Sequence, residues 1–548
     1  MNRSLVVAIV GTALAGASAG LGTHSVSADT YPHLTANVDV TSANKAPGRD
    51  DAIPEVAVDP NDSHNIAVVE GDFRSGTCLL HVSTDGGATF TTAKLSPAPP
   101  QFEHCTPNAG AEAFPMVWGS DGALIVGMGM FNGTATVFGG PANYTVSRTT
   151  DYGNTWSYVV VKRNGPNATP EPTVAPPSAG LQPSENATST GSSSTSSGAA
   201  STPSPVGVWQ EHLASDGKGH IVAAWQGRND VIPGVTATEN RTYIAVSSDD
   251  GKSFGEAIDV EGMNDPTTFP NRRGPSVAFA PDGTLAVVFK EGAAPKGAPK
   301  GSLTPSLVAY TSSDLGKTFT RNVIQKNDDF TDYAEISASG AAMVVVWEDL
   351  SDVPAAQAQE VRDIFYSRST DGGKTWSAKK RITDDDLTKD FANKYVPGIA
   401  VSPNGRLDVA WQDARNDDGH LLTDVYYTYS TDGGATWAPN LRVSDASSNR
   451  HYGQFANYSD VRGPVGVASD NYGAYIAWDD TRNATDANPA QDVYFAAVQQ
   501  AALPVSSGYT TLRIVGAIVG GLLVTGLALV VAALIIRRRP GEPTSATA

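Results

Sequence analysis

Cysteine is nearly absent from this 548-residue chain: Cys78 and Cys105 are the only two. Two cysteines build neither a disulfide-rich scaffold nor a multi-cysteine zinc site. Charge is sparse too, at 17%, and basic charge is the scarcer sign: 38 Lys and Arg against 57 Asp and Glu, a net charge of -19. Such a surface repels phosphate backbones, so no nucleic acid is expected as a partner. The nine histidines contain no His-Glu-x-x-His string, and no loop has full EF-hand spacing. Asp328-Asp329 and Asp384-Asp385-Asp386 read as solvated turns. No metal and no cofactor are implied.

Long apolar runs are missing from the interior and confined to the two ends. Arg3, the run Leu5 to Leu14 and the small residues up to Ala28 read as a signal peptide over 1–28, cleaved after Ala28. At the other end, residues 514–536 are 23 residues without a charge, enough to cross a hydrocarbon layer as one helix. Arg537-Arg538-Arg539 follows, which places residues 537–548 in the cytoplasm and the bulk of the chain outside. Residues 500–513 form the stalk. The expected location is the cell membrane, single-pass, with the folded part exported.

Glycine and proline are plentiful, at 54 and 35, and favour turns between short strands. An eight-residue pattern occurs six times: Ser83 to Phe90, Thr149 to Trp156, Ser247 to Phe254, Ser312 to Phe319, Ser369 to Trp376 and Ser430 to Trp437. Each copy has Ser or Thr, then Asp, Gly, Ser or Thr, and an aromatic. The carboxylates of Asp85, Asp151, Asp249, Asp314, Asp371 and Asp432 suit a tight turn by accepting backbone N–H bonds. Glycine supplies the positive φ, and the aromatic folds back to bury its ring. A second pattern precedes each box, an alternating hairpin such as Pro275 to Phe289 or Pro397 to Trp411. It occurs seven times, once more than the box.

The boxes resemble the Asp boxes, or BNR repeats, of the sialidase superfamily. That resemblance implies an all-β fold, a single β-propeller over 33–499, with the boxes as structural turns and ligands on the opposite face. Seven blades are expected, with six, the usual sialidase count, as the alternative. The last unit stops at Val498 without a box or a fourth strand. Asn37 to Ala43 matches the fourth-strand segment Asn440 to Ala446 and is expected to complete that blade, closing the ring and removing its open edges. The 467 residues from His33 to Gln499, less a 40-residue insert, give about 61 per blade. That insert, 165–204, is rich in Ser, Thr, Pro and Ala and is expected to be disordered.

The ligand-binding candidates are Arg228, Arg273, Arg415, Arg482, Glu335 and Tyr395 on the box-free face. Arg228, Arg415 and Arg482 recur in Trp225 to Asp230, Trp411 to Asp417 and Trp478 to Ala484. A ring of arginines suits an acidic sugar. Recurrence at one blade position favours a brace over a ligand site, with Asp424 or Asp492 as partners. Glu55, Glu112, Glu211, Glu335 and Asp332 supply carboxylates for any glycosidase pair. The Arg-Ile-Pro motif that the resemblance calls for is absent; Phe73-Arg74-Ser75-Gly76 is the nearest string. No Tyr, Glu or Asp sits in a matching motif, so no catalytic residue is carried over. Cys78 and Cys105 fall near one face of the ring, and export permits a disulfide worth about 3.5 kcal/mol in the chain-entropy picture. The leading expectation is a surface-anchored propeller that binds an extracellular glycan or protein without demonstrable catalysis. The alternatives are an exo-sialidase-type glycoside hydrolase and a structural surface or adhesion component.

Overall fold

The computed structural model describes residues 32–42, 51–72, 77–95, 114–131, 142–162, 207–231, 238–261, 274–293, 304–326, 332–340, 342–350, 361–387, 392–453 and 465–503. The expected signal peptide, insert, membrane helix and tail, and residues 504–513 of the stalk, lie outside these residues. Among the described residues no helix is long and apolar enough to cross a membrane.

Seven antiparallel sheets follow one another along the chain. Blade 1 runs Asp51–Val58, Ile66–Asp72, Thr77–Ser83, Thr91–Lys94, and blade 2 Met116–Trp118, Leu124–Phe131, Ala142–Thr149, Ser157–Lys162. Blade 3 is Gly207–Ser215, Ile221–Val231, Thr238–Ser247, Ile258–Asp259, and blade 4 Ser276–Phe279, Leu285–Ala293, Thr304–Ser312, Thr320–Gln325. Blade 5 is Asp332–Ser339, Ala342–Leu350, Arg362–Ser369, Lys380–Arg381, and blade 6 Lys394–Val401, Leu407–Asp413, Leu422–Ser430, Leu441–Arg442. Blade 7 takes Gly466–Ser469, Gly473–Asp480 and Asp492–Gln499 from the end of the chain. The count is seven; the six-bladed alternative is excluded.

Blade 7 is completed by the N-terminus. Val38 pairs with Phe495 and Asp39 with Tyr494, and His33–Leu34 extends the same edge beside Gln499 and Val498. The expected strand is therefore present, in two short pieces that start earlier than Asn37. Short pieces are the rule at this position: the outer strands of blades 3, 5 and 6 are each two residues long. An outer strand packs against no further strand, and brevity limits the edge it exposes. The match to blade 6 runs residue by residue. Thr41 Oγ1 accepts the Val493 N–H as Ser444 Oγ accepts that of Val425.

Seven apolar clusters hold the ring together, one at each contact between neighbouring blades. At one repeated position the second strand of five blades contributes a buried aromatic to them: Trp225, Phe289, Trp347, Trp411 or Trp478. Three of these tryptophans lie against tyrosines of the third strand, Tyr243, Tyr426 and Tyr494. The ladder register places Glu70 and Gly127 at the equivalent points of blades 1 and 2. In blade 2 the room left by Gly127 is taken by the Tyr144 hydroxyl, 2.7 Å from where a Cβ would stand.

All six boxes form the expected turn between third and fourth strands. In the fifth, Asp371 Oδ1 accepts the Thr375 N–H, its Oδ2 accepts the Thr375 hydroxyl, and Ser369 Oγ accepts the Gly373 N–H. Bonds from the Thr318 and Thr375 hydroxyls, then from their N–H groups, hold Asp314 and Asp371 at about 2. Two successive residues of each box have positive φ. The first can be Tyr152, Asp250 or Leu315, but the second is always Gly. Close approach explains this: a Cβ at Gly87 would stand 2.2 Å from the Phe495 ring of the preceding blade, and one at Gly373 2.6 Å from Thr311. The boxes are thus contacts between blades as well as turns.

Candidate functional site

In a four-stranded meander, the boxes and the first hairpin turns share one face. The connections from second to third strand and from blade to blade share the other. Of the ligand-binding candidates, Arg415, Arg482, Tyr395 and Glu335 have described side chains, and they fall into three groups on this second face.

The first group is Arg415 and Arg482. The Arg415 N–H and Nε bond both oxygens of Asp413, at 2.9 Å each. Its Nη1 reaches Asp384 and its Nη2 reaches Asn440. The guanidinium lies 4.3 Å from the Tyr426 ring centre. Arg482 repeats the set on Asp480, Asp445 and Asn37, over Tyr494 at 4.0 Å. Trp411 and Trp478 donate to the same two aspartates, which fixes each carboxylate for its arginine. Only 11% and 13% of these side chains is exposed. Each arginine therefore ties its own outer strand to the connection leaving the previous blade. The partners differ from those expected: Asn416 and Asn483, not the arginines, bond Asp424 and Asp492. The Trp-x-Asp-x-Arg spacing carried that signal. Main-chain pairing puts Arg228 beside Gly207 on the second strand of blade 3, but its side chain lies outside the described residues, as does all of Arg273.

The second group surrounds Tyr395, at the start of the innermost strand of blade 6. The side chain is buried, 1% exposed. Its hydroxyl accepts a bond from Arg450, whose guanidinium also lies 4.5 Å from the ring centre. Arg362 lies at 5.9 Å and bonds Glu348 Oε1 at 2.8 Å. Burial pushes the Tyr395 phenol up, against the pull of the Arg450 charge.

The third group lies on the axis. Glu335 of blade 5 accepts the Ser276 hydroxyl of blade 4 at 2.6 Å and stands 3.5 Å from His212 Nε2 of blade 3. Glu55 of blade 1 feels the Glu335 charge; burial first, then that charge, raises its carboxyl to about 8. Residues of blades 3 and 5 touch past blade 4 only where the innermost strands converge. The sequence singled out Glu55 and Glu335 but not His212 or Ser276. A recurring Pro just before the equivalent position in blades 1, 2, 4 and 6 (Pro54, Pro115, Pro275 and Pro397) is the signal that marks this ring.

Cys78 is buried and disulfide-bonded. Cys105 lies outside the described residues. Among the described residues no three His, Cys, Asp or Glu side chains form a group able to hold a metal ion.

The BNR/Asp-box repeat family matches residues 367–378, the fifth box. No curated protein sequence matches the chain. Solved structures with a similar course of chain include the Hadza microbial sialidase Hz136, at 16% identity and TM-score 0.43 over 80% of this chain and 74% of that one. The Trypanosoma rangeli sialidase in complex with the inhibitor DANA matches at 11% identity and TM-score 0.43, over 75% of this chain and 56% of that one. The Penicillium chrysogenum alpha-L-arabinanase complexed with arabinobiose matches at 14% identity and TM-score 0.39, over 70% of this chain and 94% of that one. The chain is a seven-bladed propeller that carries a BNR/Asp-box repeat.

Proposed function

We propose that this chain is an exported, membrane-anchored propeller that binds an extracellular glycan or protein on its box-free face and does not turn over sialosides. One observation carries the reading. Arg415 and Arg482, the repeated arginines that would clamp an acidic sugar, spend their donors on Asp413, Asp384 and Asn440, and on Asp480, Asp445 and Asn37. Freeing either one for a ligand leaves a buried aspartate unpaired, which costs several kcal/mol. The end signals of the sequence support export and anchoring.

The competing hydrolase reading is favoured by the second group, where a tyrosine meets two arginines and a glutamate. The burial of Tyr395 weighs against it, since a nucleophile must reach its substrate. Purified full-length protein, assayed with a fluorogenic sialoside, is expected to show kcat below ~1 s⁻¹. On a glycan array the same preparation is expected to retain specific carbohydrates, or to show none if the ligand is a protein. Robust sialic acid release that Tyr395→Phe abolishes, with folding intact, would establish the hydrolase instead.

A further inference from the structure

Both described ends of the chain lie on the face that carries the boxes. The ladder pairs Gln499 with Gly473 just as it pairs Ser430, which opens the sixth box, with Leu407. The third strand of blade 7 therefore ends level with the boxes. His33 pairs with the same Gln499, so the first described strand starts there too. The residues after Gln499 hold to that face. The Gln500 and Ala501 N–H groups donate to Tyr472 O, in the first hairpin turn of blade 7, at 2.6 and 3.0 Å. Gln500 Nε2 donates at 3.2 Å to the Tyr427 hydroxyl of blade 6, which itself donates to Asp408. Leu503 lies against the first box: its Cδ1 is 2.9 Å from where a Cβ on Gly86 would stand. Blades 6, 7 and 1 thus fix the base of the stalk.

Chain length then limits which face can meet the lipid. Ten residues, 504–513, separate Leu503 from the apolar run 514–536. Fully extended they cover at most ~36 Å. A blade measures roughly 27 Å from face to face, taken from the nine residues of Leu422–Ser430. The headgroup layer outside the hydrocarbon adds ~5–7 Å. With the box-free face on the lipid, the stalk must run the height of a blade and cross the headgroups, which uses nearly its whole reach. With the box face on the lipid it crosses the headgroups alone and stays slack.

We propose that the box face is the membrane-proximal surface of the anchored protein, standing over the lipid headgroups, and that the box-free face points away and meets its ligand in trans. This rests on the proposed anchoring through residues 514–536. The chemistry of the box face fits a hydrated headgroup layer. Bonds from the Thr436 N–H and hydroxyl hold Asp432 at about 2, as their threonines hold Asp314 and Asp371. Carboxylates that stay charged are costly to bring into hydrocarbon, so this face stands over the lipid and does not enter it. Among the described residues the exposed large apolar side chains are Leu421 and Leu422. Both belong to the connection from second to third strand of blade 6, on the box-free face. Three N–H groups of that connection, those of Gly419, Leu421 and Leu422, bond the Asp417 carboxylate, so the two leucines are held outward. They are presented to the medium or to a facing surface. A headgroup of the anchoring membrane does not reach them.

The test is energy transfer from a labelled cysteine to an acceptor lipid, on the full chain reconstituted in phosphatidylcholine vesicles. Ala435→Cys on the sixth box and Asp418→Cys at the opposite end of the same blade are both exposed positions, and they differ chiefly in height. Cys78 is disulfide-bonded and takes no label. Transfer from Ala435→Cys is expected to exceed that from Asp418→Cys by about twofold or more, given a height difference of roughly 27 Å. A Gly-Ser linker inserted after Leu503 is expected to shrink the difference by freeing the propeller to tumble. Equal transfer from the two positions, or stronger transfer from Asp418→Cys, overturns the orientation and leaves the anchoring standing. Flotation of the same sample with the vesicles separates the two: a chain that does not float overturns the anchoring and the orientation with it. If Ala435→Cys fails to fold, Lys374→Cys, exposed on the fifth box, takes its place under the same criteria.

Discussion

Deleting residues 32–42 is expected to cost on the order of 5 kcal/mol of unfolding free energy and to convert the protein into soluble oligomers. The segment supplies the outer edge of blade 7, and Val40, 2% exposed, sits in the cluster between blades 7 and 1. Its loss uncovers the main chain of Asp492–Gln499, an open edge ready to pair with another copy. It also removes Asn37, whose side chain bonds Val443 O, the Asp445 N–H and Arg482. Asn37→Ala alone is expected to cost about 2 kcal/mol, the scale of unsatisfied buried polar partners. Urea denaturation with light scattering separates the two effects. A deletion variant that stays monomeric and loses under 1 kcal/mol would show that the ring does not depend on this segment.

Stability is expected to fall as pH rises from 5 to 9, with Glu261 as one principal cause. Glu261 follows the outer strand of blade 3, where blades 6 and 7 have Ser444 and Thr41. Like them it accepts a main-chain N–H, here of Thr242 at 3.0 Å. The charges beneath are reversed. Arg241 on the third strand faces Asp259 on the outer strand, where blade 5 has Asp363 facing Arg381. Burial raises the Glu261 carboxyl to about 8; the Thr242 bond opposes this, and Asp259 and Glu291 add to it. Below pH ~4.5 the group is protonated both folded and unfolded. Between there and 8 the folded chain keeps a proton that the unfolded chain has lost, so stability drops by up to ~1.4 kcal/mol per pH unit. Over the window the loss is on the order of 3 kcal/mol once partial relaxation of the site is allowed for. Glu261→Gln keeps an acceptor for Thr242 and removes this contribution. Urea midpoints at pH 5, 7 and 9 are expected to flatten by that amount in the variant. An unchanged pH slope would show that Glu261 is ionised in the folded protein.

The features that repeat were readable from the sequence, because each copy restates the same local physics. Six boxes with Asp, Gly and an aromatic at fixed spacing define six turns between third and fourth strands, and a missing fourth strand after Val498 points to Asn37. The features that break the repeat were not readable. Nothing local puts Ile53 and Val396 at positive φ; β-branched residues favour extended strands, and the bulges exist because Asp479 and Glu348 of neighbouring blades take their N–H groups. Contacts such as Glu335 with His212 depend on ring closure and join residues more than a hundred positions apart. The arginines lay between. Their recurrence announced a shared role, but the choice of Asp413 over Asp424 rests on Trp411 fixing the nearer carboxylate.

The most direct measurement is a double-mutant cycle on Arg482 and Asp480 by urea denaturation, with Arg482→Ala, Asp480→Asn and the pair. A bracing arginine predicts a coupling of about 2–3 kcal/mol, the range for a partly buried, bidentate charge pair, with each single variant destabilised by at least that much. A coupling below ~0.5 kcal/mol, with Arg482→Ala as stable as the parent, would contradict the brace and return the repeated arginines to the ligand.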